Sequence, residues 1–138
     1  MDDQSLEREK YFKNIHNIKD FIFALVYSYL DWIEQNVELA RFQMTARYYV
    51  SNSTYEHELN EKNKLRNKAI FQHLQSLYPL EELKKLQLNL IISLIMGPAE
   101  HYAKPWLLEK ISDQPSKYRD EFALSAWLAV ERFFITNQ

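Results

Sequence analysis

The sequence predicts an all-α fold, a single-domain bundle of about five to six helices, and three observations predict it. The 138 residues include one glycine, Gly97, and four prolines, whereas sheet proteins rely on glycine-rich turns. No Asn-Gly or Asp-Gly pair marks a hairpin. Long stretches repeat apolar residues at helical spacing with few breakers between them. A content of 46% hydrophobic and 26% charged residues is that of a globular domain, long enough to bury a core without disulfides or metals. There is no internal repeat, low-complexity tract or interdomain linker.

Residues 1–14 are charged, with Leu6, Tyr11 and Phe12 as their main apolar anchors. They are expected to form a poorly defined segment, a frayed helix or the remnant of a linker helix, ahead of a helical domain over residues 15–138. The first firm helix runs from about Ile15 or Ile18 to Gln35, its main face formed by Ile15, Ile18, Ile22, Leu25, Val26, Tyr29 and Ile33. Phe23, Tyr27 and Leu30 make a second strip, and Phe21 and Trp32 a third side, so this helix is expected to be central. Asn36 ends it and is placed to cap the next helix, whose first turn holds Glu38.

The second helix, about Val37 to Val50, presents Leu39, Phe42, Ala46, Tyr49 and Val50 on one face, with Arg41 and Arg47 outside it. Arginines in such places usually belong to a solvated face; Arg47, with aromatic neighbours, is the better candidate to meet an anionic effector. Ser53 to Glu56 fits a capping box and opens a third helix to about Leu77. Its first half is mostly charged, which suits a solvated face or the cover of a pocket mouth. Pro79 opens a fourth helix that is nearly all apolar from Leu86 to Met96 and therefore expected to be buried. Gly97-Pro98 is expected to stop it, since glycine suits the position past a helix end and proline the first turn of the next. A short fifth helix from Ala99 to about Ile111, disturbed at Pro105, should follow. The last helix runs from about Ser116 to Phe134. It carries one apolar strip of Phe122, Ala126, Ala129, Val130 and Phe133 and another of Leu124, Trp127, Leu128 and Ile135. Two apolar strips on a terminal helix argue for a subunit interface. With the small and polar seam of Asn89, Ser93 and Gly97, the first strip is expected to form a twofold homodimer.

Much chemistry is excluded. One glycine rules out a P-loop, a dinucleotide fingerprint and a nucleophile elbow. The absence of cysteine rules out disulfide and thiol chemistry. The four histidines, His16, His57, His73 and His101, share no metal spacing; His57 with Glu61 reads as a surface pair, so no metal or other cofactor is expected. No nucleophile stands at a credible spacing from a base, so the chain is not read as an enzyme. A net charge of −2 gives no basic field for nucleic acid. The longest uncharged run, Leu86 to Ala99, is too short to span a bilayer, and the amino terminus lacks an apolar signal core. A cytoplasmic location is the expectation.

The run LNLIISLIMGPAEHYAKPWL (Leu88–Leu107) resembles the corresponding stretch of TetR-family transcriptional regulators, in their C-terminal effector-binding and dimerisation domain. The likeness lies in the long apolar helix followed by Gly97, Pro98, Ala99, Tyr102, Lys104, Trp106 and Leu107. Tyr29 to Asn36 leading into Glu38 to Phe42 is similar to that family's corner between two helices, and Phe122 to Ala129 to its last helix. Together they span roughly Ile18 to Phe134. Val37 departs from the proline common in the family, and Pro105 is an extra break. The helix-turn-helix head that precedes the domain in such repressors is not found in these residues, so DNA would be reached only through a head missing here.

The resemblance implies a small, largely apolar effector enclosed by the first four helices of the domain. The lining expected from surplus apolar faces is Phe23, Tyr27, Phe42, Phe71, Ile92, Met96, Tyr102 and Trp106, with Tyr27, His101 and Tyr102 supplying hydrogen bonds. The reading from sequence is thus the ligand-binding and dimerisation domain of a TetR-like regulator. The alternatives are a headless helical module that pairs with another protein and a carrier for a hydrophobic small molecule.

Overall fold

A computed structural model describes residues 8–134 apart from 9, 14 and 50–52; the side chains of 46–49, 53–56, 59, 60 and 63 lie outside the description. The fold is all-α, without a strand among the described residues. The long elements are α1 (Ile18–Gln35), α2 (Val37–Tyr49), α3 (Ser53–Gln75), α5 (Leu88–Leu107) and α6 (Arg119–Phe134). A one-turn helix, α4 (Leu80–Leu83), precedes α5, and a 3₁₀ turn (Pro115–Tyr118) leads into α6.

The central place expected of α1 is observed. Asn17 caps it, its side-chain oxygen accepting from the Asp20 N–H at 2.8 Å. Phe21, Ile22, Leu25, Val26 and Leu30 are buried in the main core with Ile91, Ile92, Ile95 and Ala99 of α5 and Ala123, Ala126 and Val130 of α6. The alanines let the α6 backbone approach its neighbours closely, and larger side chains on α1 fill the remaining space. Burying a side chain such as Leu30 contributes about 1.5–3 kcal/mol. At the amino-terminal side, Phe12 packs against Phe21 and His73, and the Tyr11 hydroxyl donates to Asp31. These residues of the 1–14 segment are therefore anchored on the core.

Asn36 forms the corner between α1 and α2. Its side-chain amide donates to the Trp32 carbonyl at 2.9 Å, and its own carbonyl accepts from the Ala40 N–H at 2.8 Å. The side chain thus closes α1, and the backbone begins α2. At the far end of α1, Glu34 holds the start of the last helix. One carboxylate oxygen accepts from the Ser116 N–H at 2.7 Å and the other from the Ser116 hydroxyl at 2.8 Å.

Between Pro79 and Ile111 the helix boundaries differ from those the sequence predicts. The apolar stretch is interrupted at residues 84–87, and from Leu88 a single helix runs through Gly97, Pro98 and Pro105 to Leu107. Gly97 has no left-handed φ, so it does not act as a helix stop. The terminator is Glu109, whose φ of 61° supplies the left-handed residue. Its N–H bonds the Trp106 carbonyl at 3.0 Å and the Lys110 N–H bonds the Pro105 carbonyl at 2.8 Å, a Schellman closure. Arg41 of α2 completes this end, its Nε donating to the Leu107 carbonyl at 2.8 Å while its guanidinium pairs with Glu38 and Glu109. That arginine is a bridge between α2 and the end of α5 rather than part of a solvated face. Each interior proline removes one helical N–H donor, at a cost of about 3 kcal/mol in an isolated helix. Burial of Ile91, Ile92, Ile95, Ala99, Ala103 and Leu107 along one face offsets it.

The third helix behaves as two parts. Ile70 and Leu74 near its end are buried in the main core, whereas Glu58, Glu61, Lys62, Lys64 and Leu65 are exposed. The capping box at Ser53 to Glu56 and the face of Ala46, Arg47, Tyr49 and Val50 rest on side chains outside the described set. No described helix is long and apolar enough to cross a membrane.

Candidate functional site

A cavity of about 830 Å³ lies between α1, α2, α3 and α5. Its floor is apolar and buried: Leu25, Trp32 and Ile33 from α1, Ile92, Ile95 and Leu107 from α5. Ser28 also reaches it, its hydroxyl satisfied by the Leu25 carbonyl at 3.1 Å. Toward the mouth the lining becomes polar, with Gln43 from α2, Glu58, Lys62 and Arg66 from α3, and Glu100, His101 and Lys104 from α5. Phe42 sits at the rim, 64% exposed. Trp32 is only 2% exposed, and its indole Nε1–H has no hydrogen-bond partner among the described residues.

Four residues expected in the lining are found there: Phe42, Ile92, Met96 and His101. Five are elsewhere. Tyr27 faces α6, where its hydroxyl donates to Asp120 at 2.6 Å and its ring lies under Arg119. Burial, then the Asp120 hydrogen bond, pushes its pKa up to about 12. Phe23 packs edge-on against Tyr27, and Phe71 packs against the main core. The Tyr102 ring meets Tyr118 and Phe122, and its hydroxyl donates to the Asp113 carbonyl at 3.0 Å. Trp106 packs on a second cluster with Trp32, Ile33, Ala103 and Leu107. Both Tyr102 and Trp106 border a separate surface depression beside Arg41 and Glu109. Their displacement follows from helix continuity. When α5 runs unbroken through Pro98, the face begun by Ile92 and Met96 continues to Ala103 and Leu107. Tyr102 and Trp106 lie on a neighbouring face.

Several residues expected at a subunit interface are turned inward. Ala126 and Val130 are 0% exposed inside a single chain, so neither is available to a partner. Phe122, Ala129 and Phe133 are half-buried against the same core, Phe122 beside Tyr102. The seam on α5 turns toward α3 and the cavity. The Asn89 side-chain oxygen accepts from Asn67 of α3 at 3.2 Å, Ser93 donates to the Asn89 carbonyl, and Gly97 borders the cavity. The apolar side chains left outward on α6 are Leu124 and Leu128, the latter 61% exposed.

Among the described residues no three His, Asp or Glu side chains gather as metal ligands. No protein-family model matches the chain, and no curated protein matches it in sequence.

Proposed function

We propose that the chain is a ligand-binding and dimerisation domain of the TetR type, in which a small, mainly apolar effector occupies the cavity between α1, α2, α3 and α5. The observation that carries this reading is the cavity itself, with a buried apolar floor and a polar mouth, the arrangement of small-molecule sites generally. The resemblance supports it further, because those regulators enclose their effectors between helices in corresponding order. Effector binding would then control a DNA-binding head. Pairing of two copies would use the outward face of α6 around Leu124 and Leu128.

The position of Gly97 adds independent support. Glycine in a helix interior costs about 0.5–1 kcal/mol relative to alanine, and proteins usually retain it for a turn or a close approach. Gly97 serves neither: its φ is not positive, and a Cβ built there meets nothing within 4 Å. What its missing side chain leaves open is the cavity wall.

A thermal-shift screen of neutral, acidic and basic apolar compounds tests the reading. A ligand at about a hundred times its dissociation constant adds about 2.7 kcal/mol of stability. Gly97→Leu is expected to keep the helical circular-dichroism spectrum and cooperative melting while abolishing the shift. If no compound raises the Tm of the parent chain, the ligand-binding reading fails. A carrier for a hydrophobic molecule would share the cavity, but ligand would leave the geometry of a pair of chains unchanged.

A further inference from the structure

We infer that the ligand is an amphiphile with one unbranched hydrocarbon chain, lying lengthwise along α5 with its tail at the Ile92 end and its polar head near Lys104. The inference rests on the ligand-binding reading above and names the class of ligand.

Length is the first argument. Because α5 is unbroken through Gly97 and Pro98, its lining positions form one continuous face from Ile92 to Leu107. With a rise of about 1.5 Å per residue, that face is about 22 Å long. On α3 the lining residues Glu58, Lys62, Arg66 and Ile70 stand four apart, a single stripe about 18 Å long. The Asn67 side chain donates to Asn89 at 3.2 Å, which ties the Ile70 end of that stripe to the start of α5. The cavity holds about 830 Å³; a sphere of that volume would be about 12 Å across, roughly half the length of the α5 face. The space is therefore long and narrow. A sequence that broke its helix at Gly97 would have built a wall only half as long.

The second argument is that the two ends differ. At the start of α5 the lining is apolar on all three helices, and Leu25, Ile70 and Ile92 are buried in the main core and close that end. Toward Leu107 the floor stays apolar, but Gln43, Lys62, Glu100, His101 and Lys104 stand on the walls. Whichever ion pairs these side chains make, the polar lining gathers in one half of the cavity. Between the two ends, Ser28 commits its hydroxyl to the Leu25 carbonyl at 3.1 Å, so it asks for no partner on the body of the ligand. A tail directed at Ile92 with a head near Lys104 matches both halves. Those two residues are about 18 Å apart along the helix. Single bonds of about 1.5 Å advance a zigzag chain by about 1.25 Å per carbon, so that distance holds about fourteen carbons.

Equilibrium dialysis of the full chain against the even-numbered alkanoates from octanoate to octadecanoate, each below its micelle concentration, tests the inference. The head group is constant through the series, so pairing at the mouth cancels from the comparison. Affinity is expected to rise about fourfold per methylene and to level off near tetradecanoate. Ile92→Phe narrows the closed end and should move that break to shorter chains; Ile70→Phe, on the facing wall, replaces it if the first variant fails to fold. The profile of the parent chain decides the length whether or not either variant folds. A break at decanoate or shorter would overturn the elongated ligand while leaving the ligand-binding reading intact. Affinity that climbs unbroken through octadecanoate would place the chain outside a closed cavity and overturn the inference too. A break unmoved in a folded variant would overturn the placement of the tail. Binding of none of the alkanoates, together with a silent thermal-shift screen, would remove the ligand-binding reading as well.

Discussion

The two sides of α1 are packed to different standards. On one side α1 meets α5 and α6, and Val26, Leu30, Ala123, Ala126 and Val130 are all fully buried. Small residues on α6 face larger ones on α1, and little space is left. On the other side α1, α2, α3 and the opposite flank of α5 surround a cavity of about 830 Å³, with Phe42 exposed at its rim and Leu65 exposed farther along α3. Both sides are rich in apolar side chains. The difference teaches that hydrophobic content fixes which helices assemble, whereas the sizes of facing residues decide whether the space between them closes. The tightly packed side can hold the fold while the open side keeps a cavity.

The strongest test of that division is a charge placed on the packed side. Ala126→Glu puts a carboxylate where the side chain is 0% exposed. It is expected to destabilise the chain by more than about 4 kcal/mol, enough to unfold a domain of ordinary stability. Leu128→Glu on the outward face of the same helix should leave each protomer's stability within about 0.5 kcal/mol and, on the proposed pairing, convert dimer to monomer. Urea denaturation followed by circular dichroism measures the first, and light scattering on a sizing column the second. A folded Ala126→Glu chain would mean that the α1–α6 contact is not the core. An unchanged dimer in Leu128→Glu would move the interface away from α6.

The central helix α1 is the most legible part of the fold in the sequence: the period of Ile18, Ile22, Leu25 and Ile33 and the Asn36 corner are local patterns that map onto one helix and its end. The strip around Ala126 on the last helix is a pattern of the same kind, but the sequence reads it as a subunit face and the structure buries Ala126 and Val130 in the core of one chain. Misreadings arose where a local rule lost to tertiary burial. Gly97-Pro98 has the chemistry of a helix boundary, yet the apolar face spanning it is buried from Ile91 to Leu107, and the helix continues. The true stop, Glu109 in the left-handed region, uses a residue that no propensity rule would select. The cavity was half legible for the same reason. Ile92 and Met96 lie before the expected boundary and line the cavity, as does His101 after it, while Tyr102 and Trp106 fall on a neighbouring face. Arg41 was misread because its acceptor, the Leu107 carbonyl, lies 66 positions along the chain. Periodicity distinguishes apolar from polar faces, but it does not separate a filled apolar face from an empty one.

A smaller effect is expected at the edge of the packed side, where Tyr27 joins α1 to α6 through Asp120. The Tyr27 pKa lies at about 12, above its ordinary 10.0, through burial first and the Asp120 hydrogen bond second. A raised folded-state pKa means that the folded chain holds the phenol proton more tightly than the unfolded one. The associated stability is therefore complete below the unfolded value and is lost as pH rises through the interval between the two. Asp120→Asn weakens the acceptor, so the Tyr27 midpoint should fall while staying above the ordinary value, since burial persists. The cost near neutral pH should be about 0.5–1.5 kcal/mol. Titration of carbon-labelled tyrosine by NMR resolves this residue among the nine. A midpoint unmoved by Asp120→Asn would show that the hydrogen bond contributes nothing to the junction.

The smallest expected effect carries the opposite sign and comes from the open side. On the packed side an added methyl group would meet a neighbour and cost stability, because such interiors have no room for it. At Gly97 a Cβ meets nothing within 4 Å, and the backbone is in the ordinary right-handed range. Gly97→Ala should therefore stabilise the fold by about 0.5–1 kcal/mol, by removing conformational freedom from the unfolded chain and raising helix propensity. Chemical denaturation should show a higher midpoint at an unchanged slope. A loss of stability would mean that the space beside Gly97 is filled by a neighbour, and the contrast between the two sides of α1 would not hold at this position. A gain would identify the chain's only glycine as a place where helix stability is given up along the wall of a cavity.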